Sequence, residues 1–85
     1  MNEEYMKKIL SLSNIAWKQY KKWTETPIDA RNDRYWDKVT KDIKELVKEH
    51  TDENTKQFFT DTLNAYAGQL DKEASKQFKQ EMLDL

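Results

Sequence analysis

Chemistry needs convergent groups, and this sequence offers few. His50 is the sole imidazole, there is no cysteine, and with one glycine, Gly68, there is no glycine-rich loop to cradle a phosphate. His50 falls four residues after Leu46 and continues an apolar stripe, but no second histidine and no Glu-x-x-His pattern accompanies it. A helix C-terminus suits it, because an imidazolium there meets the negative end of the helix dipole. The pairs Asp33/Asp37 and Glu45/Glu49 have the spacing that sets two carboxylates on one helical face, a geometry usable by a divalent ion. Lys38, Lys41, Lys44 and Lys48 supply counter-charge beside them, and a hard-cation site gathers several oxygens in a dedicated loop. A solvated charged face is therefore expected there. No catalytic residue, metal ligand or cofactor site follows from these types and spacings, and the chain reads as non-enzymatic, with no small-molecule substrate.

Two features are candidates for binding. Residues 2–24 carry five lysines against two glutamates, residues 25–50 sum to −1 and residues 51–85 to −3, so charge is uneven along a chain of net charge −1. Lys18, Lys21 and Lys22, with Trp23 beside them, could meet an acidic partner, or phosphates with a base stacked on the indole. Opposite charge would equally favour antiparallel packing of the first and third helices. The second candidate is the carboxyl-terminal run Phe78, Met82, Leu83 and Leu85, since apolar residues normally avoid a loose end. Phe78, Met82 and Leu83 are the expected contacts for an apolar partner or a second copy.

These residues must be positioned by helices. One proline and one glycine leave almost no turn chemistry for strands and hairpins. Tyr5, Ile9, Leu12, Ala16, Tyr20 and Trp23 recur every three or four positions and predict a helix over about 2–24. Met6, Leu10 and Trp17 form a second file on its flank, widening the apolar arc to about 160° and predicting contact with two neighbouring helices. Thr26-Pro27-Ile28-Asp29 has the cap hydroxyl, first-turn proline and acid of a helix start. Asn32 and Asp33 offer a second cap, and the long second helix is placed at 33–50 on the stripe Trp36, Val39, Ile43, Leu46 and Val47. The caps of 51–54 precede a third helix at about 53–83, lined by Phe59, Leu63, Tyr66 and Leu70. Beyond Gly68 the apolar positions Ala74, Phe78, Met82 and Leu85 rotate away from that stripe. Two readings follow: the helix divides or kinks at Gly68 and its end folds back onto the core, or one long helix overhangs the bundle.

The fold expected is all-α, a three-helix bundle in a single domain spanning 1–85. Its expected core is Tyr5, Ile9, Leu12, Ala16, Tyr20, Trp36, Val39, Ile43, Leu46, Phe59, Leu63, Tyr66 and Leu70. Eighty-five residues can form one small core, and without cysteine no disulfide can staple it. Ten aromatics are the obvious filling. A near-neutral balance disfavours a nucleic-acid binder. The polar, acidic start disfavours a targeting signal and no apolar run reaches bilayer length, so cytoplasmic is the default expectation.

At Thr26-Pro27-Ile28-Asp29-Ala30-Arg31-Asn32-Asp33-Arg34-Tyr35-Trp36 the chain resembles a segment of small uncharacterised helical proteins from conjugative and phage elements of Gram-positive bacteria. The resemblance implies a mobile-element setting, in which small proteins often bind and block a host protein, CRISPR effectors included. It assigns no functional residue. The function expected is that of a protein–protein interaction module, self-associating through its C-terminal helix. A host-directed inhibitor is the alternative, and weak nucleic-acid binding through the lysine face the third reading.

Overall fold

The computed structural model describes residues 2–28 and 32–83, with side chains as far as Lys76. Three helices follow in chain order, α1 (Glu3–Glu25), α2 (Asp33–His50) and α3 (Lys56–Leu83), and no strand occurs among the described residues. Each boundary has a local cause. Asn2 caps α1, its side chain accepting from the Glu4 N–H at 2.7 Å, and Glu3 and Glu4 complement the dipole of the first turn. The helix ends where Thr26 turns extended, the conformation required of a residue that precedes proline. Thr26 to Ile28 are not helical, so the start signal at Thr26 is passed over; Asp29 lies outside the described residues. Asn32 makes the cap instead, accepting from the Arg34 N–H at 3.0 Å, and α2 runs over the predicted 33–50.

The third helix starts at Lys56 rather than near 53, because residues 52–55 form a reciprocal cap. The Asp52 carboxylate accepts from the backbone N–H groups of Asn54 and Thr55 at 3.0 and 3.1 Å, and the Thr55 hydroxyl accepts from the Asp52 N–H at 3.2 Å. Thr55 is only 1 % exposed, yet its polar atoms are satisfied within the turn. From there α3 runs uninterrupted through Gly68, which overturns the divided reading. Gly68 has no positive φ and nothing within 4 Å of a Cβ built upon it. An exposed helical glycine surrounded by open space does not force a break; it only weakens the helix slightly.

At 1.5 Å per residue α3 is about 42 Å long, against about 35 Å for α1 and 27 Å for α2. It is the spine. Both α1 and α2 pack on it, while direct contact between α1 and α2 is slight. Lys8 reaches Asp52 and Trp17 reaches Tyr66, so α1 and α3 run parallel, and α2, which joins them in the chain, runs antiparallel to both. Charge-driven antiparallel packing of α1 and α3 is thus overturned: two short connections reverse the chain twice, and connectivity outweighs weak surface electrostatics.

The core is Leu12, Ala16 and Trp23 from α1, Val39 and Val47 from α2, and Phe59, Leu63, Leu70 and Ala74 from α3. Tyr20, Trp36, Ile43, Leu46 and Tyr66 pack partly buried around it, as expected core residues at its margin. Tyr5 and Ile9, also expected there, are half-buried and outside the main cluster. The radius of gyration is 15.2 Å, above the about 12 Å of a compact chain of this length, and the principal extents are 55 × 22 × 18 Å. The backbone of α3 continues from Ala74, the last buried described side chain, to Leu83.

Candidate functional site

The described residues with large exposed hydrophobic side chains are Met6, Leu10 and Trp17, at 53, 63 and 47 % exposure, and all three are on α1. At 100° per residue they fall within about 40° of one another, so they form one strip down the helix. This is the flanking file that was expected to meet a second neighbour. It stays uncovered because α1 packs chiefly on α3, while its contacts with α2 come at the other flank and end of the helix, around Trp23.

The strip has a rigid end. Trp17 stacks on Tyr20 with centroids 5.7 Å apart and planes 25° from parallel, and Tyr20 lies 5.0 Å from Tyr66 of α3. Trp17 also meets Tyr66 at 6.1 Å, so the indole is held by rings from two helices. Lys21 places its ammonium 5.9 Å from the Trp17 ring centroid, a cation–π distance. A large aromatic already fixed in its rotamer loses little entropy on binding, which is the property of an interface anchor.

Lys7, Lys18 and Lys21 border the solvent side of the strip, all exposed and none ion-paired to a described residue. Lys22 is likewise exposed, while Lys8 bonds Asp52 at 3.3 Å. Trp23 does not join them. It is 5 % exposed, its indole N–H donates to Asp42 at 3.0 Å, and its carbonyl accepts from the Tyr35 hydroxyl at 3.2 Å. Burial raises the Tyr35 pKa, with Tyr20 nearby adding to the effect. The expected role of Trp23 as a stacking surface is therefore corrected to that of a core residue joining α1 to α2. Its period placed it correctly in the stripe; its neighbouring lysines suggested the wrong use.

Phe78, Met82 and Leu83 lie outside the described side chains, and Leu85 outside the described residues. His50 ends α2, half-buried, edge-on to Phe59 at 6.4 Å and with Nε2 3.9 Å from Glu49. Asp33, Asp37, Glu45 and Glu49 are exposed, and among the described residues no three His, Asp or Glu side chains gather as a set that could hold a metal ion. No described helix is long and apolar enough to cross a membrane. No protein-family model, curated protein or solved structure matches the chain.

Proposed function

We propose that this chain is a non-catalytic protein-interaction module that engages its partner through the Met6–Leu10–Trp17 strip of α1. The observation that carries this reading is the confinement of these exposed large hydrophobics to one helical face, anchored by the ring cluster at Trp17. Large apolar side chains collected on one rimmed face mark contact sites more often than scattered ones do. Lys7, Lys18 and Lys21 give the strip a cationic edge, so the partner chemistry that fits is an amphipathic helix with carboxylates beside its apolar stripe. A second copy fits less well: in an antiparallel two-fold pair each lysine edge would meet its own counterpart. A host protein bound in this way is the version that the resemblance at 26–36 implies.

The test is capture from nuclease-treated lysate of the native host, with a photo-cross-linker at position 10 and a control cross-linker at the exposed Asn64 of α3. A partner cross-linked at position 10 alone, and lost in Leu10→Glu at unchanged melting temperature, supports the strip. Cross-linking only at position 64, or capture indifferent to Leu10→Glu, removes it. Capture that nuclease destroys would favour the lysine face and a nucleic acid.

Self-association through Phe78, Met82 and Leu83 is a second reading, favoured by the continuation of the α3 backbone beyond Ala74. It predicts a mass that rises with concentration and falls to the monomer in Phe78→Asp. A monomer at every concentration would remove it.

A further inference from the structure

Between the second half of α2 and the start of α3, on a face separate from the α1 strip, lies an open groove of about 560 Å³. Its apolar floor is Ile43 and Val47, and Thr60 of α3 forms part of the far wall. Lys44 and Lys48, one turn apart on α2, and Lys56 in the first turn of α3 line it as well. All three lysines are exposed, and none is ion-paired to a described residue. Two acids also line the groove, but Asp52 is committed to Lys8 and to the cap of α3. Glu53 is the remaining carboxylate, so uncommitted positive charge exceeds negative around a hydrocarbon floor.

We propose that this groove binds a single-chain amphiphilic anion, with its alkyl chain along Ile43 and Val47 and its carboxylate or phosphate head among Lys44, Lys48 and Lys56. The volume lies within the range of about 300–1,000 Å³ typical of small-molecule sites. It suits one alkyl chain better than a helix about 10–12 Å across. The two halves of the ligand answer the two halves of the groove. An inorganic anion would leave the floor wet, and a neutral alkyl chain would leave three ammonium groups without a partner. Nothing here depends on the α1 strip, so Leu10→Glu leaves the site intact.

The test is an NMR titration of the full chain with decanoate, decyl phosphate, octanoate, decanol and decyltrimethylammonium, each below its micelle concentration. Expected are saturable one-to-one binding of decanoate and decyl phosphate and shifts centred on Ile43, Val47 and Thr60. Octanoate should bind about fifteenfold more weakly, since it lacks two methylenes and each one, fully buried, is worth about fourfold in affinity. Lys44→Gln with Lys48→Gln should weaken decanoate about tenfold, without changing the melting temperature or the weak response to decanol. Equal affinity for decanol and decanoate, no dependence on chain length, or shifts centred on Met6 and Leu10 would overturn the proposal. Vesicles of phosphatidylglycerol form the last arm: retention on them with no response to monomeric decanoate would point to a lipid surface and equally overturn it.

Discussion

Trp17 and Trp23 stand six residues apart on one helix and meet opposite fates. Trp23 is enclosed and donates to Asp42, whereas Trp17 is half-exposed and held by the rings of Tyr20 and Tyr66 and the Lys21 ammonium. Trp23→Phe keeps most of the packing but leaves the part-buried Asp42 carboxylate without its donor. Urea unfolding should show a loss of about 1–3 kcal/mol, the range for stranding a hydrogen-bond partner of this kind. A change below about 0.5 kcal/mol would mean that water replaces the indole at no cost. Leu10→Glu, at an exposed position, should stay within about 0.5 kcal/mol of the parent by the same measurement. Asp52 has a titration signature. The Thr55 hydroxyl first, and then Lys8, lower its pKa, so the native state favours the carboxylate. Its contribution is therefore present above the ordinary aspartate value of about 3.9 and is lost as pH falls through the lowered native value. Asp52→Asn should be less stable than the parent at neutral pH, with the two acid-unfolding curves converging once pH falls below the lowered native value. Parallel curves would show that the cap and the Lys8 contact do not distinguish the charged form.

Among the elements, α3 holds the question that periodicity alone left open. Apolar positions after Gly68 drift around the helix, and a glycine in such a place reads equally as a C-cap or as an ordinary interior residue. The continuous backbone decides for the interior, and that is testable. Gly68→Ala adds a methyl group into open space and removes the conformational freedom of glycine in the unfolded chain, so it should stabilise by about 0.5–1 kcal/mol. Destabilisation, read from the same urea curves, would mean that α3 breaks at this residue. At the other end of α3, Thr55→Val keeps the branched shape but removes the hydroxyl from the reciprocal cap. It should cost about 1 kcal/mol and speed hydrogen exchange of the nearby amides, with exchange further along α3 little changed.

For the whole molecule, stability rests on one side of one long helix. Phe59, Leu63 and Leu70 are fully enclosed, and α1 and α2 both pack on α3 while meeting each other directly around Trp23. Phe59→Ala should cost about 3–5 kcal/mol. For 85 residues the whole margin is about 4–13 kcal/mol. Thermal unfolding of this variant should therefore begin far below that of the parent and lose cooperativity near physiological temperature. A sharp transition within a few degrees of the parent would show that α1 and α2 hold together without the spine. The elongated shape follows from the same arrangement, since a helix longer than its neighbours cannot be covered along its full length.

Much of this architecture is legible in one dimension because it depends on local rules. Three- and four-residue spacing set the helices and the faces that could be buried, and the boundaries of α2 follow from Asn32 and His50 without reference to anything distant. Leu12, Ala16, Val39, Phe59, Leu63 and Leu70 are in the core because their period puts them on a single stripe. Which part of a wide stripe is covered is another matter. Met6, Leu10 and Trp17 are as apolar as their neighbours, and they are exposed because they lie on the flank of α1 away from α2, which meets α1 at Trp23 instead. Trp23 and Asp42, nineteen positions apart, meet only once the chain has reversed. Local rules in the chain suffice for the helices, their caps and the candidate faces; which of those faces stays exposed is settled only by the fold, because burial is a property of the neighbours a residue acquires and not of its own type.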